Sequence, residues 1–264
     1  MKIKYLAVII LLCANLISYA QEWVALDTIN FNERITAYSI DPDNRIYIGT
    51  ATGSLYRYEP NGQESEYYSA IANFSVTSVA AWNRFKVFVF YQNPQEFYFL
   101  DRFNTVSNSY DISEYSKDLI NQCTPGVDNS LWMLSASYNE LRKYNQQSKQ
   151  LLFSNPLDMD VSSVSHMRAF QNLLIISDRE EGLKFFDQFG NLLTEVGFEK
   201  IDHFQISGGK LIFYSSDYVH SIDPFNPGAD ETIKAPNGAF IGLLKYEEDY
   251  FFIQGNRILI FRRG

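Results

Sequence analysis

Residues 41–58 read Asp41-Pro42-Asp43-Asn44-Arg45-Ile46-Tyr47-Ile48-Gly49-Thr50, then, after Ala51 and Thr52, Gly53-Ser54-Leu55-Tyr56-Arg57-Tyr58. A polar turn leads into a short run that is apolar on both faces, and a second turn leads into a second run. The same pair recurs down the chain. The first run reappears as Val87-Phe88-Val89-Phe90, Leu131-Trp132-Met133-Leu134, Leu173-Leu174-Ile175-Ile176, Leu211-Ile212-Phe213-Tyr214 and Tyr250-Phe251-Phe252-Ile253. Each is followed by its partner: Phe97 to Leu100, Leu141 to Tyr144, Leu183 to Phe186, Val219 to Ile222, and Ile258 to Phe261. The first runs start 38 to 44 residues apart. That is the period of a four-stranded propeller blade.

A strand that is apolar on both faces must be covered on both, and neighbouring blades in a ring supply that cover. The connections are polar and rich in turn residues: Asp41-Pro42-Asp43-Asn44, Pro60-Asn61-Gly62, Ser207-Gly208-Gly209 and Pro236-Asn237-Gly238. A β-sandwich is the rival architecture, but it has no need of six near-equal units. The last repeat has Phe240 to Tyr246, Tyr250 to Ile253 and Ile258 to Phe261, three strands where four are needed. Trp23 to Ile29 alternates as a strand should and precedes the first full repeat. The expectation is an all-β, six-bladed β-propeller occupying 21–264 as one domain, with the N-terminal strand completing the last blade and contributing Trp23 and Leu26 to its packing.

Residues 41–58 resemble the propeller repeat of two-component-regulator sensor ectodomains. Asp128-Asn129-Ser130-Leu131-Trp132-Met133-Leu134 with Glu140-Leu141-Arg142-Lys143-Tyr144 is a weaker copy, and the other four repeats keep the spacing without the signature. Those sensors carry a membrane span and a kinase after the propeller, and this chain has neither pattern. Related propellers serve as subunits of periplasmic, outer-membrane export and assembly machines. The resemblance implies a free-standing exported propeller, but a fold does not fix a function.

Export is also written at the N-terminus. Lys2 and Lys4 form a basic start, Tyr5 to Ile17 an apolar stretch, and Ser18-Tyr19-Ala20 a small-x-small cleavage site. Residues 1–20 read as a signal peptide, with the mature chain beginning at Gln21. Cys13 follows Ile10-Leu11-Leu12, not the small residue that a lipid-attachment box wants. The expected location is the periplasm, with the extracellular space as the alternative. Cys123 is then a lone cysteine, read as a small buried apolar residue rather than a reactive thiol.

The 264 residues carry 22 basic against 31 acidic side chains, a formal charge of −9, and 16% aromatics. The acidity argues against a nucleic-acid partner, which requires a basic face. The aromatic content argues against a disordered chain. No phosphate loop, nucleotide fingerprint, zinc pattern or nucleophile elbow is present, so no catalytic residue, metal or cofactor is expected. His166, His203 and His220 read as separate structural or exposed histidines, and Asp41-Pro42-Asp43-Asn44 as a hairpin turn rather than a calcium loop.

Loops between the second and third strands, and between blades, gather on one face of a propeller. That face should carry Tyr91, Tyr138, Arg179, Tyr218 and Arg257 as candidate binding residues, since Tyr and Arg dominate binding hot spots. It should also carry Glu114, Asp118, Asp158, Asp160, Asp178, Glu180, Glu181 and Asp217. Two function classes follow. One is a non-enzymatic scaffold for protein–protein interaction, docking envelope proteins such as an outer-membrane secretion or assembly complex. The other is a carbohydrate-active or small-ligand propeller, enzyme or sensor, in which clustered acids do acid–base work.

Overall fold

The computed structural model describes residues 22–264 except 61, 62, 69–72, 84, 102 and 104. The leader of 1–20 lies outside the described residues. Among the described residues, twenty-four strands form six antiparallel sheets of four. After β1 (Trp23–Asn30), the first blade holds β2 (Ile35–Ile40), β3 (Ile46–Thr50), β4 (Leu55–Tyr58) and β5 (Glu64–Tyr68). The second holds β6 (Ser78–Ala80), β7 (Val87–Tyr91), β8 (Glu96–Leu100) and β9 (Val106–Asp111). The third holds β10 (Ile120–Pro125), β11 (Ser130–Ser135), β12 (Glu140–Asn145) and β13 (Leu151–Pro156). The fourth holds β14 (Val164–Phe170), β15 (Leu173–Asp178), β16 (Gly182–Asp187) and β17 (Leu192–Val196). The fifth holds β18 (Phe204–Ser207), β19 (Lys210–Ser215), β20 (Tyr218–Asp223) and β21 (Asn226–Lys234). The sixth is β22 (Gly242–Tyr246), β23 (Asp249–Gln254) and β24 (Arg257–Arg263), with β1 as its outer strand.

Burial follows strand position. The second strands, apolar on both faces, are buried along nearly their whole length, as at Val87–Tyr91 and Ser130–Ser135. The outer strands are exposed, as at Leu192–Val196. The core is six clusters, each shared by two neighbouring blades. Val89 of the second blade packs with Tyr47 of the first, and Leu131 of the third with Phe88 of the second. Leu174 joins Leu134, Phe204 joins Phe185, and Phe252 joins Tyr214. The sixth cluster joins Phe251 and Ile253 of the last blade to Ile46 and Ile48 of the first. The ring is continuous.

β1 pairs with β24 from Trp23↔Arg263 to Asn30↔Arg257, with a bulge between Ala25 and Asp27. Trp23 packs edge-on against Tyr250 and Phe252 and donates its indole N–H to the Lys234 carbonyl at 2.8 Å. Leu26 differs from expectation. It sits in the bulge without a ladder partner and is 45% exposed, because the extra residue turns its side chain off the packed face.

The Asp41 turn is a hairpin. Its Oδ1 accepts from the Asp43 and Arg45 amides at 2.8 and 2.9 Å, while Asn44 takes a positive φ of 65°. Asp101 and Asp187 build the same turn between third and fourth strands. These hairpins open on the end of the ring opposite the inner-strand starts, and their tips expose Phe103 and Phe189, with Phe225 in the corresponding turn of the fifth blade. Cys123 is buried, and burial raises its thiol pKa well above the ordinary value. Among the described residues no helix is long and apolar enough to cross a membrane.

Candidate functional site

The inner strands β2, β6, β10, β14, β18 and β22 surround the axis, and their starts open into a funnel of about 470 Å³. All six blades contribute, through residues such as Tyr38, Ser78, Gln122, His166, His203 and Ile241. Strand alternation places every second residue of an inner strand toward the axis. On three of the six strands those positions are polar: Gln122 and Thr124 on β10, His166 and Arg168 on β14, and His203 and Gln205 at β18.

Three rings form a row across this funnel. The Tyr38 ring lies 4.3 Å from the His203 ring, and His203 lies 4.1 Å from His166. Tyr38 belongs to the first blade and His203 to the fifth, so Tyr38 reaches past the sixth. Gly242 on β22 makes the room. A Cβ at that position would stand 1.8 Å from the Tyr38 hydroxyl. Burial pushes the His166 pKa down to about 3, with Arg168 adding to the effect, and burial likewise lowers His203. Both imidazoles are neutral at pH 7.

The polar groups of the inner strands are incompletely paired. The Tyr38 hydroxyl, Gln122 Oε1 and His203 Nδ1 of the funnel lining, and Thr124 Oγ1 and Arg168 Nε farther along the same strands, are buried and have no hydrogen-bond partner. Such atoms are rare in folded proteins and each calls for an explanation. At the mouth, Arg179 donates to Asp202 at 2.7 Å, and Gln92 donates to Asn121 at 2.9 Å. Gln205, by contrast, is fully engaged with the Lys245 backbone, tying the fifth inner strand to the sixth.

The expected binding residues scatter around this centre. Arg179 lines the funnel. Tyr138 is exposed in the second-to-third-strand loop of the third blade, and Tyr218 and Arg257 are exposed as the first residues of the third strands of the fifth and sixth blades, on the same face. Tyr91 is not on the surface: it is 2% exposed and donates to the Gly53 carbonyl at 2.9 Å, joining the first two blades. The acids are mostly structural. Asp118 accepts from Arg142, Glu114 from Lys149 and Glu181 from Lys184, while Asp160 and Asp178 accept turn amides. Asp217 accepts from Tyr214. His220 is satisfied as expected, with Asp230 at 2.7 Å and the Ser215 carbonyl at 3.3 Å. His166 and His203 are not separate: β14 and the residue before β18 bring their rings within 4.1 Å at a 39° tilt. The sequence signal was alternation, in His166-x-Arg168, Gln122-x-Thr124 and His203-x-Gln205, within stretches that otherwise read as connections.

No protein-family model matches the chain, and no curated protein matches it. Solved structures do match. Virginiamycin B lyase from Staphylococcus aureus superposes with a TM-score of 0.61 at 10% identity, covering 91% of this chain and 99% of that one. The WD40 domain of Neurospora crassa Pan2 gives 0.60 at 9%, covering 92% and 96%. The extracellular domain of the one component system BT4673 from B. thetaiotaomicron gives 0.56 at 12%, covering 86% and 32%. The likeness is one of fold. It includes a sensor ectodomain, the class of propeller whose repeat residues 41–58 resemble, and it spans a lyase as well as an extracellular domain, so activity must be argued from the site.

Proposed function

We propose that the protein is an exported, non-enzymatic propeller that serves as an interaction platform in the periplasm. It docks a partner of an envelope complex, of the outer-membrane export or assembly kind, through the face on which the funnel opens. The observation that carries this reading is the rim. Tyr138, Tyr218 and Arg257 stand exposed on three different blades around a polar funnel. The ring fixes their spacing, so binding orders little that is not already ordered. Neutral histidines in the funnel and acids engaged in turns and ion pairs support binding rather than acid–base chemistry.

The test is isolation of the tagged protein from envelope extracts under mild detergent, with the mass of the complex measured by light scattering. A stoichiometric complex with another envelope protein is expected. A protein that elutes alone, or that turns over a polysaccharide and loses this activity when one of the loop-face acids is neutralised, overturns the reading.

A further inference from the structure

The turns at the end of the ring away from the funnel share a residue that solvent alone does not favour there. In the second, fourth and fifth blades the turn between third and fourth strands reads Asp101-Arg102-Phe103, Asp187-Gln188-Phe189 and Asp223-Pro224-Phe225. The phenylalanine holds the same place in each, its backbone amide donating at 2.8 Å to the Asp two residues before it. The carboxylate is folded back into the turn, and the Phe side chain is left outside. Phe103, Phe189 and Phe225 each keep more than half of their surface exposed, as does Phe85 in the first-to-second-strand turn of the second blade.

In an antiparallel four-stranded blade the first-to-second and third-to-fourth turns fall at one end, so these four residues belong to one end of the ring. Of the five exposed phenylalanines among the described residues, only Phe74 lies elsewhere. Leu192 and Leu193, at the start of β17 just beyond the Phe189 turn, are exposed as well. The funnel end differs in kind, because its Tyr138 and Tyr218 carry hydroxyls that suit a polar partner. Solvated turns ordinarily carry polar residues, so apolar tips on three blades mark a surface that is covered in use.

The chain and its charges indicate what covers it. β1 begins at Trp23 opposite Arg263, the last residue of β24, so residues 1–21 join the ring at this same end. They include the apolar stretch from Tyr5 to Ile17, which during export brings this end of the ring to a bilayer. The sequence also sets cations beside the rings: Arg84 and Lys86 flank Phe85, and Arg102 precedes Phe103. Such cations complement the phosphates of lipid headgroups. The Phe residues stand on separate turns, and the Asn155 side chain pins one of them by donating to the Phe189 carbonyl at 2.9 Å. Spaced tips of this kind enter a deformable surface together, whereas a protein needs a complementary pocket for each.

We propose that this end of the ring is a peripheral membrane-binding face, with Phe103, Phe189 and Phe225 entering the headgroup region of a phospholipid bilayer. Phe85 and its flanking cations add to the contact on the second blade. Rings that enter the interface leave water without any segment having to span the bilayer. The funnel face is then turned away from the membrane, and the lipid contact is a surface separate from the rim proposed to dock a protein.

Co-sedimentation of the purified mature protein with vesicles of phosphatidylethanolamine and phosphatidylglycerol tests it. The parent should partition onto the vesicles. Phe103→Ser, Phe189→Ser and Phe225→Ser together should lower that partition about tenfold or more, while the protein melts like the parent because the side chains are exposed. Two single variants, Phe189→Trp and Tyr138→Trp, read the orientation without depending on the triple variant. Emission from the tryptophan at 189 should shift to the blue on vesicles and be quenched by lipid brominated in its acyl chains, and emission from the one at 138 should not move. No partition of the parent, unchanged partition of the triple variant, or quenching at 138 and not at 189 would overturn the proposal. The vesicles hold no partner protein, so the membrane face and docking through the rim fail or survive separately.

Discussion

The Tyr38 ring of the first blade lies 4.3 Å from the His203 ring of the fifth, across the place where the sixth blade presents Gly242. One missing side chain lets two non-adjacent blades touch over the axis. The contact shapes the funnel, because it puts an aromatic ring and a buried hydroxyl where a strand would otherwise show a side chain of its own.

Gly242→Ala should therefore be disproportionately harmful. The new methyl collides with the Tyr38 hydroxyl, and overpacking of this kind costs about 1–3 kcal/mol. Denaturant unfolding should show that loss, with part of it recovered in the Gly242→Ala, Tyr38→Phe double variant. A single variant as stable as the parent would mean that Tyr38 has another place to go.

Acid should destabilise the protein through its paired, buried histidines. His166 is held neutral down to about pH 3, whereas the unfolded chain protonates it near 6.5. In that window the unfolded state binds the additional proton. Stability is intact above about pH 6.5 and falls as the pH drops, by up to about 1.4 kcal/mol per pH unit for each such histidine. Replacing His166 and His203 together with Gln should flatten this part of the stability curve between pH 6 and 4. An unchanged slope would contradict neutral burial.

Removing Glu22 to Asn30 takes away the outer strand of the last blade and bares the edge of β24. A loss of several kcal/mol with aggregation is expected, of which Trp23→Ala alone should account for about 1–3 kcal/mol. Leu26→Ala should change almost nothing, since Leu26 projects from the bulge. Melting and light scattering of the three variants check the order, and a truncated protein that melts like its parent would assign no closing role to β1.

How much of this was legible varies with what each strand must satisfy. Second strands such as Val87–Tyr91 are covered on both faces, so their sequence is apolar throughout and their period gives the blade count directly. Inner strands face a polar axis on one side, so residues 120–125 and 164–168 look like connecting segments in one dimension. That is why Gln122, Thr124, Arg168 and the pairing of His166 with His203 became visible only once the ring set them side by side. Tyr91 was misplaced for a related reason. A tyrosine at a strand end serves equally well as a loop contact or a bond between blades, and only the position of Gly53 decides. Leu26 turned on a bulge, which alternation does not announce.

Intact mass checks the leader. The protein recovered from the envelope should begin at Gln21, without lipid and with or without cyclised glutamine. A species beginning at a diacylated Cys13, or one that retains residues 1–20, would contradict export by cleavage after Ala20.

Binding through the funnel face is tested most directly by comparing variants of the two faces. One carries Tyr138→Ala, Tyr218→Ala and Arg257→Ala on the rim; the other carries Phe189→Ala and Phe225→Ala in the exposed turns at the opposite end. Both should fold and melt like the parent, because all five side chains are exposed. Co-purification of the envelope partner should fall at least tenfold in the rim variant and stay at the parental level in the other. Loss confined to the Phe189→Ala, Phe225→Ala variant, with the rim variant binding normally, would place the docking surface on the wrong face and contradict the proposed function.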